Sequence, residues 1–328
     1  MQYRKLLVSL FFPLASFAAE AIQVPVWTPE GTPLSTEGLV ATIGGEPTDV
    51  LGVQAPADDL MLLVVLDLTD DLALVEQART ALIARIENMP ANHLIGVLSA
   101  QNGLRVLAEP TSDHAKVAEA IRSQKVGGRA GLLETVEEAS RIATSVMTKS
   151  GVRVAVLYVT DSDINNYREA FDNPTVNRSD NGDVSRRMDS LVRERMSRVS
   201  ANLSKGQAPV FIAHLSYRTD QLNVAYQTGM IGLTAATGGN AMIARSNAEI
   251  PQYVTSIVDH IAGHYSVKVA LKNAQLKKAD VTLESNAGEL EYRSLRRMEH
   301  EAAQWREILT RFPEQAGEPP ILGIRPLE

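Results

Sequence analysis

The sequence predicts an α/β protein: a doubly wound, mostly parallel sheet, with a small β-sandwich beside it made from strands near the two ends of the chain. Three observations predict it. The runs Met61–Asp67, Leu94–Ala100, Val152–Thr160 and Val210–Leu215 are nearly continuous in apolar residues, as strands buried on both faces are. Segments with apolar residues at helical spacing lie between these runs, so strand and helix alternate over residues 58–263. Outside that region, short alternating segments are too small to fold alone and need a partner layer.

In chain order, Ile22–Trp27 alternates like a half-buried strand, and Pro29–Pro33 has turn chemistry. Leu39–Ile43 and Val50–Val53 read as two more strands separated by Gly44-Gly45-Glu46-Pro47. After the first buried run, Leu74, Ala78, Leu82 and Ile86 mark a helix over Asp71–Met89 that Pro90 ends. The pair Asn102-Gly103 predicts a hairpin from the second run into Leu104–Ala108. Ser112 can cap a helix to Gln124, Gly127–Gly131 forms a tight loop, and Leu132–Met147 is helical. Past the third run, the Asn- and Asp-rich stretch Asn165–Asp183 reads as a long loop or lid. Val184–Leu203 and Gln221–Ala236 are helical, Ala241–Ala244 is a short strand, and Asn247 can cap a helix ending at Gly263. Tyr265–Leu271, Val281–Glu284 and Glu289–Tyr292 read as strands. Arg296–Arg311 reads as a polar helix before a Pro-rich end. The chain divides into a signal peptide at 1–21, strands at 22–57, an α/β domain at 58–263, strands at 264–295 that pack on 22–57, and a helix and tail at 296–328.

Composition narrows the function. The chain has 328 residues, 45% hydrophobic and 22% charged, which is ordinary for a globular protein. Its net charge of −7 speaks against broad nucleic-acid binding. Arg4 and Lys5 precede an apolar stretch, Leu6–Phe17, too short to span a bilayer comfortably, and Ala19-Glu20-Ala21 fits a signal-peptidase site. The expected product is exported, periplasmic or extracellular, one unit more negative, and free of a membrane anchor after cleavage. There is no cysteine, which excludes disulfides, thiolate metal sites and thiol catalysis.

The first buried run ends in Asp67-Leu68-Thr69-Asp70-Asp71. Ligands in parallel sheets bind beyond the carboxyl ends of the strands, and these oxygens suit Mg²⁺ or Mn²⁺. DLTDD after the first strand, GGRAG before a helix, VTD after a central strand and TGG after a late helix occur in the order seen in von Willebrand factor A domains. The layout, with strands on both sides, resembles the secreted von Willebrand A-related proteins first noted in Acidobacteria. Those domains carry a metal-ion-dependent adhesion site built from three loops. The resemblance implies first-loop roles for Asp67 and Thr69, with Asp71 where a serine is usual, and a third-loop role for Asp161. Arg129 stands where the second loop should supply a threonine. A guanidinium has only donors and opposes a nearby cation. The expectation is a degenerate site that binds Mg²⁺ or Mn²⁺ weakly or not at all, with Arg129 paired to Asp67, Asp71 or Asp161. A simpler role for Asp70 or Asp71 is capping a helix.

The implied function is non-enzymatic: binding a protein partner, through an acidic side chain, at the rim of the sheet. Arg129 can meet that carboxylate directly. Two alternatives remain. VVLDLTD and VLYVTDSD also resemble the nucleophile loop and acidic motif of haloacid-dehalogenase-type phosphatases, with Asp67 as nucleophile and Asp161 and Asp163 on Mg²⁺. Thr69 there replaces the usual second carboxylate. The other alternative is a structural envelope component with a relic site. Other patterns point elsewhere than to chemistry. His260 and His264 have zinc-pair spacing but no third ligand, and read as surface residues. GGRAG lacks the Lys-Ser/Thr of a P-loop. Arg186, Arg187, Arg193, Arg195 and Arg198 alternate with Asp189 and Glu194 and read as a solvated helix face.

Overall fold

The computed structural model describes residues 21–29, 32–167, 181–271, 278–293 and 295–297. The chain opens with four strands, β1 (Ala21–Trp27), β2 (Leu39–Ile43), β3 (Glu46–Thr48) and β4 (Val50–Gln54). It continues through β5 (Leu60–Asp67), α1 (Leu72–Glu87), β6 (His93–Ser99), β7 (Arg105–Thr111), α2 (His114–Ser123), α3 (Leu132–Ser150) and β8 (Arg153–Thr160). Then come α4 (Asn181–Leu203), β9 (Val210–His214), α5 (Gln221–Ala235), β10 (Ala241–Ile243), α6 (Ile250–Ala262) and β11 (Tyr265–Ala270). The last strands are β12 (Lys278–Ser285), β13 (Glu291–Tyr292) and β14 (Leu295–Arg297).

Six strands form the central sheet in the order β10-β9-β8-β5-β6-β7, all parallel except the β6–β7 hairpin. The hairpin turns through Asn102 and Gly103, both at positive φ, as the dipeptide predicts. Alternation along β5 explains the double winding. Leu60, Leu62, Val64 and Leu66 pack with α1, α2 and α6, while Met61, Leu63 and Val65 pack with α3, α4 and α5. Each face needs its own helical layer, so the strand sequence has no polar phase. The central strands β5 and β8 are buried along their whole length.

Two antiparallel sheets, β13-β1-β11-β4 and β14-β12-β2-β3, make the predicted sandwich. Strand β1 pairs with β11 from Ala21↔Ala270 to Val26↔Tyr265, and β2 pairs with β12 from Leu39↔Ser285 to Ile43↔Val281. Ile22, Val24, Val26, Ala41, Val267, Val269 and Val281 fill the space between the sheets. Neither end of the chain could close this core alone.

The sandwich sits against the amino-terminal edge of the central sheet. Arg153, the first residue of β8, is fully buried there, and its hydrogen bonds go to carbonyls while Asp58 and Asp59 act on it only through their charge. Its guanidinium donates to the carbonyls of Ala262 (3.1 Å), His264 (2.9 Å), Pro56 (2.8 Å) and Asp58 (2.6 Å). Arg293, just past β13, donates to the carbonyls of Ala236, Ser204 and Gly206 behind α5 and α4. Trp27 stacks on His260 at 4.6 Å between ring centres, and its indole N–H donates to the His260 carbonyl.

The structure departs from the sequence-based expectations in several places. His264 is fully buried, and His260 is half-buried with its ring stacked on Trp27, so the surface reading fails outright for His264 and in part for His260. Gly44-Gly45 alone makes the turn, and Glu46–Thr48 forms a strand, because the two glycines supply both positive-φ positions. Asp113, not Ser112, caps α2, accepting from the Lys116 amide. Asn247 starts a 3₁₀ turn ahead of α6, where Pro251 occupies the first helical turn. Arg296 lies in β14, paired with Ala279, rather than at a helix start. The expected signal peptide up to residue 20, the stretch 168–180 of the expected lid, and the expected helix and tail beyond residue 297 lie outside the described residues.

Candidate functional site

The loops beyond β5 and β8 lie side by side because their strands are paired from Leu60↔Arg153 to Asp67↔Thr160. Asp67 and Asp161 therefore end up as neighbours. Their carboxylates nevertheless face different partners, because successive residues of an extended chain point to opposite sides.

Asp67 is fully buried. It accepts from the amides of Gly131 (2.9 Å) and Leu132 (3.2 Å) at the start of α3, and from the hydroxyls of Thr160 (3.2 Å) and Ser162 (3.1 Å). Helix α3 has Gly131 at its cap position, with no side chain to cap it, and Asp67 caps it from another strand. A larger residue cannot stand at Gly131, since its Cβ would fall 1.9 Å from the Ala100 carbonyl oxygen. Burial pushes the Asp67 carboxyl up to about 6, against the pull of its four donors.

Asp161 performs the reciprocal task. One oxygen accepts from the Thr69 amide (2.6 Å) and hydroxyl (3.1 Å), the other from the amides of Asp70 (2.9 Å) and Asp71 (2.8 Å). Three successive amides ahead of α1 thus converge on one carboxylate. Asp71 turns away and caps α1, accepting from the amides of Ala73 and Leu74. This is the helix-cap role that its position suggested.

As arranged, these residues do not fit a divalent ion. Each oxygen of Asp67 and Asp161 accepts from at least one N–H or O–H donor, three of them on Asp67 Oδ2 and two on each Asp161 oxygen, and a cation would have to displace donors to bind both carboxylates. The Thr69 hydroxyl points its proton at Asp161. Among the described residues no group of three or more His, Asp or Glu is placed to hold a metal.

Arg129 forms no ion pair with Asp67, Asp71 or Asp161. Its backbone exchanges two hydrogen bonds of 3.0 Å with Asn102, one to the Asn102 side-chain oxygen and one from the Asn102 amide. Its exposed side chain acts electrostatically on Glu134, lowering a carboxyl that burial raises. The reason is geometric. Gly128, at φ +96°, turns the loop against Asn102 and sends the next side chain outward, while Gly131 supplies the inward contact.

Thr160 and Ser162 are the partners that motif reading overlooked. They flank Asp161 in Val-Thr-Asp-Ser, and period-two alternation alone puts both hydroxyls on the face opposite Asp161. His214, at the end of β9, is also buried here. Its Nε2 lies 2.9 Å from the Ser162 carbonyl, and burial lowers its basicity.

What the rim exposes is different in character. Leu72 is 58% exposed at the start of α1, and Tyr217 is 40% exposed beyond β9. The Arg245 guanidinium lies 5.6 Å from the centre of the Tyr217 ring. The Tyr217 amide bonds the Ala244 carbonyl, joining the loops after β9 and β10.

Several of the solved structures that this one resembles are von Willebrand A domains. One is a von Willebrand factor type A protein from Catenulispora acidiphila, at 10% identity and a TM-score of 0.45, over 90% of this chain and 77% of that one. Another is the von Willebrand domain of the type V pili tip protein Mfa5 from Porphyromonas gingivalis, at 11% and 0.42, over 63% and 95%. A third is an aerotolerance-related membrane protein from Bacteroides fragilis, at 13% and 0.36, over 62% and 99%. These are loose likenesses of fold, and none transfers a residue's role. No protein-family model matches the chain, and no curated protein does. No helix among the described residues is long and apolar enough to cross a membrane.

Proposed function

We propose that this protein is an exported bacterial module of von Willebrand A type that binds another protein with the carboxyl-terminal rim of its central sheet, without catalysis and without a working metal site. One observation carries this reading. The acidic motif residues Asp67, Asp71 and Asp161 are spent on backbone amides, while Arg129, Leu72, Tyr217 and Arg245 stand outward on the same rim. Apolar, aromatic and arginine side chains are what protein interfaces favour. Arg129 is the residue to meet a partner's carboxylate, as a two-pronged pair.

The test has two arms. After EDTA stripping, calorimetric titration with Mg²⁺ and Mn²⁺ should show no saturable binding at millimolar metal. Saturable binding abolished by Asp67→Ala would restore the metal-dependent alternative. Partner capture from the cell envelope should survive EDTA and fail with Arg129→Ala, whose melting temperature should match the wild type. Capture that depends on Mg²⁺ and ignores Arg129 would overturn the reading. Hydrolysis of an aryl phosphate that needs Mg²⁺ and vanishes in Asp67→Asn would point to phosphoryl chemistry instead.

A further inference from the structure

Beside Arg129 the rim opens into a cleft of about 560 Å³, between the β6–β7 turn and the segment joining α2 to α3. Its floor is held firmly. Gln101 is buried; its side-chain N–H₂ donates to the carbonyls of Leu68 (2.5 Å) and Lys125 (3.2 Å), and its oxygen accepts from Ser99 and Gln124. The Gly127 amide bonds the Leu68 carbonyl at 2.9 Å. A cleft fixed in this way is shaped before anything enters it, which lowers the entropic cost of binding.

The charge of the lining is one-sided. Arg105 and Lys125 are exposed at the cleft, and no aspartate or glutamate lines it. Neither cation has an ion pair to a carboxylate among the described residues. In a chain of net charge −7 this is a local reversal of sign, and a concave wall concentrates its field. The rest of the wall is partly apolar: Val106 is 49% exposed, with Val126 half-buried in the same lining. The cleft is continuous with Arg129, because Asn102 lines it and holds the Arg129 backbone.

We propose that this cleft takes an acidic, partly apolar peptide segment of a protein partner, its carboxylates meeting Arg105 and Lys125 and its apolar side chains resting on Val106 and Val126. The proposal rests on the protein-binding reading of the rim and names the chemistry of the ligand. A bare phosphate group fits less well, since the Gly127 amide that might cradle it is already bonded.

The test is fluorescence anisotropy of the full chain with a labelled peptide of repeating Glu-Leu-Asp-Gly, beside Gln-Leu-Asn-Gly and Glu-Gly-Asp-Gly controls. Saturable binding is expected for the first peptide only, weakening as salt rises. The exposed double variant Arg105→Gln, Lys125→Gln should keep its melting temperature and bind about tenfold more weakly or worse. Absence of binding at millimolar peptide, equal binding of the neutral control, or an unaffected double variant would overturn the proposal. Binding that the double variant loses but Arg129→Ala retains supports the cleft while removing Arg129 from the interface. The reverse pattern removes the cleft and keeps Arg129.

Discussion

The two edges of the central sheet solve one problem with opposite charges. At the carboxyl-terminal edge, where helices α1 and α3 begin, unpaired amides are gathered by two carboxylates, Asp67 and Asp161. At the amino-terminal edge, where α4, α5 and α6 have ended, unpaired carbonyls are gathered by two guanidinium groups, Arg153 and Arg293. Each ion sits where the helix dipole favours its sign. Neither edge pairs these ions with each other. The comparison teaches that an aspartate at a strand end need not announce a reaction. It can be the counterpart of an arginine doing the same structural work at the other end.

The largest expected effect lies at the arginine edge. Arg153→Met takes the guanidinium donor away from four carbonyls, the buried one of His264 among them, and should cost about 3–5 kcal/mol in urea unfolding. A cost below that of Asp67→Asn would break the symmetry. Asp67→Asn keeps the shape but presents an N–H₂ group to donors, for an expected loss of about 1–3 kcal/mol.

The two edges should also respond to acid with opposite signs. At the arginine edge, burial and the Arg153 charge hold His264 down to about 3 from 6.5. The unfolded chain therefore gains a proton that the folded protein refuses. The His264 contribution is full above pH 6.5 and is lost as pH falls towards 3. Asp67 titrates at about 6 when folded, against 3.8. Its contribution is full below pH 3.8 and is lost as pH rises through 6. Unfolding free energies between pH 4 and 7 should show a shallower acid decline in His264→Gln and a steeper one in Asp67→Asn. Identical slopes in all three proteins would sink this account. The smallest effect belongs to Asp71→Ala, which removes an exposed cap and should cost about 1 kcal/mol. An effect as large as that of Asp67→Asn would mean that the loop ahead of α1 depends on its own cap more than on Asp161.

How much of this was legible in the sequence follows from what each signal measures. Continuous apolar runs report burial on two faces, so β5, β8 and β9 were readable, and so was the layered arrangement. DLTDD and VTD located the rim because an acidic residue ending such a run must find a partner. The choice of partner was not readable. It depends on which loops meet after folding, so Arg129 was expected inside the acidic cluster and instead faces outward past Gly128. Arg153 carried no signal at all. An arginine opening a strand usually points to water, and its four carbonyls come from residues 56, 58, 262 and 264. His264 carries no such signal for the same reason: the sandwich that buries it is assembled from both ends of the chain.

That assembly has a consequence for how the molecule is made. Strand β1 emerges early in synthesis, but its ladder partner β11 spans Tyr265–Ala270. The pairing closes a loop that contains the whole α/β domain, and such long-range contacts form slowly. Until β11 appears, the first strand has no edge to join, and Arg153 lacks two of its four acceptors. On the export reading, this delay is useful. A translocation channel would then receive a chain whose leading end has nothing yet to fold onto.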